Sequence, residues 1–137
     1  MSTLLLDTHV VHWWSAEPER LSRPATAAIE SADELAVAAI TWFELAWLAR
    51  HDRITVTIPV RTWLDGLASG VRTIDATPAI ADTATALPAG FPGDPADRLI
   101  YATALERGIR LITKDRRLRN HRQIDHHPIA LADAEFA

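Results

Sequence analysis

The sequence contains no cysteine, which excludes disulfides, zinc–thiolate sites and thiol catalysis and fits a reducing compartment. No stretch approaches the ~18 consecutive apolar residues of a membrane span. The residues before Asp7 include no basic one, and they are too few for a secretory leader. From these absences we expect a soluble, cytoplasmic protein with no membrane partner. No serine stands in a G-x-S-x-G elbow, and neither a phosphate-cradling P-loop nor a G-x-G-x-x-G turn occurs. A phosphatase of the haloacid dehalogenase type would need a second aspartate two residues after Asp7, where His9 stands. No internal repeat or linker breaks the chain.

The 137 residues are 48% hydrophobic and 23% charged, which suits a single folded domain over 1–137 with a core large enough to need no staples. The formal net charge is -4, which argues against simple wrapping of a polyanion. Charge is unevenly spread, however. Between Arg107 and Arg122 lie seven basic residues, among them Lys114, Arg116 and Arg117, and one acid, Asp115. An acid centred in a basic stripe fits a site that attracts a polyanion and reacts with it. A solvated, arginine-rich turn fits equally well.

Apolar runs at 3–6, 35–40, 71–74 and 111–113 read as buried strands by their length and flanks. Helices are expected over 8–15, 23–32, 41–51, 59–68, 78–87 and 95–107. Ser22 caps the second of these, and Gly108 closes the last. Strands alternating with helices imply an α/β fold with a mainly parallel sheet covered on both faces. Ligands in such sheets bind beyond the carboxyl ends of the strands. Asp7 and Asp115 each follow a strand directly, while Glu44, Asp94 and Asp97 lie in the first turns of helices.

Each acid also has a local explanation. Thr41-Trp42-Phe43-Glu44 matches a capping box, in which Glu44 satisfies the Thr41 N–H. Asp94-Pro95-Ala96-Asp97 reads as N-cap, N1 proline and N3 acid. If the acids converge, however, two carboxylates ~4 Å apart repel by about 4 kcal/mol at an effective dielectric near 20. Several such pairs would use much of a domain's ~5–15 kcal/mol of stability. A divalent cation removes that conflict, and Mg²⁺ and Mn²⁺ favour all-oxygen sites.

Leu4-Leu5-Leu6-Asp7-Thr8-His9, Ile40-Thr41-Trp42-Phe43-Glu44-Leu45, the run from Gly93-Asp94-Pro95-Ala96-Asp97-Arg98 to Ala104, and Leu111-Ile112-Thr113-Lys114-Asp115 follow one another. In order and spacing this resembles the PIN-domain nucleases, in particular the VapC-type toxins of bacterial toxin–antitoxin pairs. The resemblance covers nearly the whole chain. It implies a PIN-like three-layer α/β/α fold and an endoribonuclease, dependent on Mg²⁺ with Mn²⁺ as a substitute, that cuts structured cellular RNA and arrests growth. It places Asp7, Glu44, Asp97 and Asp115 at the family's acidic positions. Asp7 and Asp97 would hold the principal metal, with Asp115 assisting directly or through water, and Glu44 would orient or activate the attacking water. Thr8, Thr113 and Asp94 would support them, and Asp94 competes with Asp97 for the third position. Lys114, Arg116 and Arg117 would bind the RNA. The partners implied are a cognate DNA-binding antitoxin and a second copy in a homodimer. Adjacent Trp13 and Trp14 cannot both be buried by one helix face, so a groove for a partner helix and burial within the monomer both stay open. Two further readings stand beside the nuclease: a catalytically silent PIN-like module that binds RNA or protein, and a phosphohydrolase acting on small phosphoesters.

Overall fold

The computed structural model describes residues 2–91, 94–115 and the backbone of 131–133. The chain alternates strands and helices: β1 (Thr3–Leu6), α1 (Thr8–Ala16), a 3₁₀ turn (Pro18–Arg20), α2 (Arg23–Ser31), β2 (Glu34–Ala38), α3 (Ile40–Arg50), α4 (Val60–Ala68), β3 (Arg72–Ile74), α5 (Pro78–Ala86), α6 (Pro95–Arg107), β4 (Arg110–Thr113) and β5 (Leu131–Asp133). The strands form one sheet in the order β3-β2-β1-β4-β5. Every neighbouring pair is parallel.

Side chains alternate across each strand, and the alternation builds two cores. Leu5, Ala36, Ala38 and Leu111 face one way, where α5 and α6 contribute Ile80, Ala84, Ile100, Tyr101 and Leu105. Leu4, Leu6, Val37 and Ile112 face the other way, against Val10 and Val11 of α1, Ile29 of α2 and Leu45 of α3. The result is the three-layer α/β/α arrangement the sequence implied. Crossovers run outward from β1 to β2 and β3, then return past β1 to β4. Parallel crossovers are right-handed, so the change of direction moves the later helices to the opposite face. It also leaves a topological switch point between β1 and β4, where such sheets open a crevice for ligands.

Two local expectations are corrected. Ile40 belongs to α3 rather than to the second strand, because β2 ends at Ala38 and the Ala39 N–H donates to the Ile74 carbonyl at 2.9 Å. Thr41 therefore lies inside α3 and caps nothing, and that helix start has no side-chain cap. The tryptophan pair is also resolved. Trp13 is buried, and Trp14 packs half-buried against the second core, so both are covered within the monomer. Among the described residues, no helix is long and apolar enough to cross a membrane.

Candidate active site

Asp7 stands where β1 gives way to α1, at the switch point. Its backbone is extended and its Oδ1 accepts from the Val10 N–H at 3.0 Å, so it caps α1. Its Oδ2 accepts from the Thr113 hydroxyl at the end of β4. Burial pushes the Asp7 carboxyl above the usual carboxylate range, although those two donors and the nearby Lys114 ammonium pull the other way. Thr113 also accepts from the Asp115 N–H at 3.0 Å, so one buried hydroxyl positions both strand-end acids.

Glu44 reaches the same rim from α3. It does not cap its own helix, as the sequence suggested. Instead its Oε1 accepts from the Thr8 hydroxyl of α1, and Thr8 also lies 3.2 Å from the Thr41 hydroxyl. Thr41 is fully buried. Its contribution to the site was missed in the sequence because it matched a cap. Partial burial raises the Glu44 pKa, and the charges of Asp94 and Asp7 add to the rise against the Thr8 bond.

Asp94 and Asp97 arrive on the first turn of α6 as a reciprocal capping box. The Asp97 N–H donates to Asp94 Oδ1 at 2.9 Å, and the Asp94 N–H to Asp97 Oδ2 at 3.4 Å. This is the cap read from the sequence. Asp94 is exposed, whereas Asp97 is half-buried and pushed up to about 6, by burial first and then by Asp94, Glu44 and Asp115. Arg98 anchors this turn. Its guanidinium donates to the carbonyls of Leu87 and Pro88 at 3.1 and 3.0 Å, tying α6 to the end of α5. No sequence signal marks that role, because its partners are backbone carbonyls.

Acids from four segments thus lie close enough that Asp94 and Asp7 raise the Glu44 pKa, and Asp94, Glu44 and Asp115 raise that of Asp97. They are not drawn into a finished cage: among the described residues, no three acids or histidines are grouped tightly enough to hold an ion. The donor set is nonetheless all carboxylate oxygen, the kind Mg²⁺ and Mn²⁺ favour. Lys114 lies beside the acids, with its Nζ 5.6 Å from the Trp13 ring centroid. Arg116 and Arg117, and the histidine pair at 126–127, lie outside the described residues.

The arrangement has known counterparts. The PIN domain model matches residues 4–124. The chain belongs to the PIN-domain family. It is 69% identical to Ribonuclease VapC22 of Mycobacterium tuberculosis over 122 residues, which is 89% of this chain and 94% of that protein. PIN folds of distant sequence superimpose on it as well. A chain of VapBC2 from Rickettsia felis, solved with a fragment of its promoter DNA, gives a TM-score of 0.70 at 15% identity, covering 97% of this chain and 99% of that one. A chain of DNA-bound VapBC from Salmonella typhimurium gives 0.64 at 20% identity, covering 97% and 98%. At such identities the likeness speaks for the fold alone. The acids of this PIN domain sit at the switch point of that shared sheet.

Proposed function

We propose that the chain is a divalent-metal-dependent endoribonuclease and the toxin of a type II toxin–antitoxin pair. The observation that carries the chemistry is the convergence of Asp7, Glu44, Asp97 and Asp115 on one rim, with raised pKa values at the first three. The relatives supply the rest: one is named a ribonuclease, and several are toxin–antitoxin complexes.

In this reading Asp7 and Asp97 hold the principal ion, and Asp115 assists directly or through water. The ion is Mg²⁺, with Mn²⁺ as a substitute. When bound, it lowers the pKa of water and steadies charge at the phosphorus. Glu44, fixed through Oε1 by Thr8, orients the attacking water and takes up its proton, a task suited to a carboxylate with a raised pKa. Thr113 holds Asp7, and Asp94 holds the turn that carries Asp97. Lys114, with Arg116 and Arg117, engages RNA phosphates. The antitoxin is a small DNA-binding protein encoded with the toxin, and two copies of the chain associate. An apolar groove of about 470 Å³ beside Glu44 includes Phe43 and Trp47, which are 65% and 42% exposed. It suits an apolar helix of the antitoxin.

RNA cleavage by purified protein with Mg²⁺ or Mn²⁺ tests the reading. Asp7→Asn and Asp97→Asn are each expected to abolish it. Undiminished cleavage by either variant, in protein free of contaminating nuclease, overturns the assignment.

A further inference from the structure

Two clefts flank the acids, and their linings differ in kind. The apolar groove contains Glu44 and Asp94 and no lysine or arginine. The other cleft, about 590 Å³, opens between α1, the 3₁₀ turn and the chain after α3. Its size falls within the roughly 300–1,000 Å³ of small-molecule sites. Three cations line it, Arg20, Arg53 and Lys114, against one carboxylate, Glu17. That carboxylate is already engaged, 3.2 Å from His12 Nε2 and 3.9 Å from an Arg20 nitrogen.

The cations are held in place by aromatic rings. Trp13 is 3% exposed, with the Arg20 guanidinium carbon 4.6 Å and Lys114 Nζ 5.6 Å from its ring centroid. Arg53 lies 5.9 Å from the centroid of Trp47. An indole attracts each cation through its quadrupole, but two cations on one ring still repel each other, and an anion between them relieves that repulsion. His12, in the same wall, keeps Nδ1 buried with no hydrogen-bond partner among the described residues. A polar atom left so is costly unless something else meets it. Lys114 links the cleft to the acids, since it precedes Asp115 and lies within electrostatic reach of Asp7. A polyanion cannot approach a ring of carboxylates unaided, and a cationic cleft on one side supplies that approach.

We propose that this cleft seats the RNA nucleotide adjoining the bond to be cut, with Arg20, Arg53 and Lys114 gripping the backbone phosphates and Trp13 holding two of those cations in position. The inference rests on the ribonuclease reading above. It extends substrate contact from the stripe around Lys114 to two arginines remote in sequence.

The test is binding of a short single-stranded oligoribonucleotide to metal-free protein in EDTA, followed by fluorescence anisotropy over about 50–200 mM salt. Each phosphate contact to a single strand contributes ~0.7 to the slope of log K against log salt. The double variant Arg20→Gln/Arg53→Gln is therefore expected to flatten the slope by about 1.4 and to bind at least roughly tenfold more weakly at low salt. Its Mn²⁺ affinity by calorimetry should stay at the wild-type value, which also reports a folded acid site. Trp13→Leu should weaken RNA binding, and Trp13→Phe should restore most of it, since a ring of either kind orients the cations. A double variant with wild-type Mn²⁺ affinity, wild-type RNA affinity and an unchanged slope overturns the cleft and leaves the ribonuclease reading standing. Wild-type protein that binds no RNA in EDTA overturns the cleft, and wild-type protein that also cleaves none with Mn²⁺ overturns both.

Discussion

Thr113 donates its hydroxyl hydrogen to Asp7 across the gap between β4 and β1. Thr113 is completely buried, and Asp7 uses its other oxygen to cap α1. Two hydrogen bonds, one on each oxygen, therefore set the orientation of the carboxylate at the switch point. Substituting a residue that positions a metal ligand typically costs 10–100-fold in metal affinity. Thr113→Val is nearly isosteric and removes the hydroxyl that donates to Asp7 and accepts from the Asp115 N–H. We expect it to weaken Mn²⁺ binding by about 10–100-fold in calorimetry and to lower RNA cleavage in step, with the fold retained. Unchanged Mn²⁺ affinity would show that Asp7 is held by α1 alone.

Asp94 and Asp97 share one capping box but differ in exposure, so substitution separates their roles. Asp94→Ala removes an N-cap and should cost about 0.5–2 kcal/mol in denaturant unfolding while leaving appreciable cleavage. Asp97→Asn keeps an acceptor for the Asp94 N–H, so it should not lower stability, yet it should abolish cleavage. The opposite pattern of activities would make Asp94 the third acid of the site.

The raised pKa values predict how metal-free stability responds to pH. Asp97 rises from an ordinary 3.8 to about 6, so between those values the folded state binds more protons than the unfolded one. Its contribution is fully present below pH 3.8 and is lost as pH rises through about 6. Asp7 and Glu44 shift in the same direction. The Tm of metal-free wild type should therefore fall relative to Asp97→Asn as pH climbs from 4 to 7. A divalent ion favours the ionised carboxylates, so the rise in Tm on adding Mn²⁺ should be larger at pH 7 than at pH 5. A rise that is the same at both would show that the ion binds elsewhere.

Phe43 is 65% exposed on α3, next to Glu44 in the chain. Phe43→Asp should change stability by no more than about 0.5 kcal/mol, as surface substitutions do. It should weaken capture of a co-expressed antitoxin in a pull-down and leave RNA cleavage near wild type. Retained antitoxin capture would direct attention to another face.

The sequence carried the fold well because its signals were local. Short apolar runs closed by Asp7 and by Lys114-Asp115 mark strands, and Asp94-Pro95-Ala96-Asp97 spells its capping box. The reading failed at Thr41 for the same reason. The run Thr41 to Glu44 satisfies a local rule, but the strand ends earlier, the helix begins at Ile40, and the Thr41 hydroxyl turns inward to Thr8. Of the cationic cleft, the chain showed only Lys114. Arg20, Arg53 and Lys114 are far apart in sequence, and what unites them is the packing of α1 against α3 and β4. Arg98 was equally silent, since a side chain that bonds carbonyls has no partner residue to pair it with.

β1 and β4 are neighbours in the sheet although most of the chain lies between them, and the bond from Thr113 to Asp7 spans 106 positions. A chain still emerging from the ribosome, with β1 to β3 already out, has the first half of its acids and no place to use them. The activity we propose would then switch on abruptly, when β4 slots in beside β1. A cell making such an enzyme would have until that late step to bring an inhibitor alongside it.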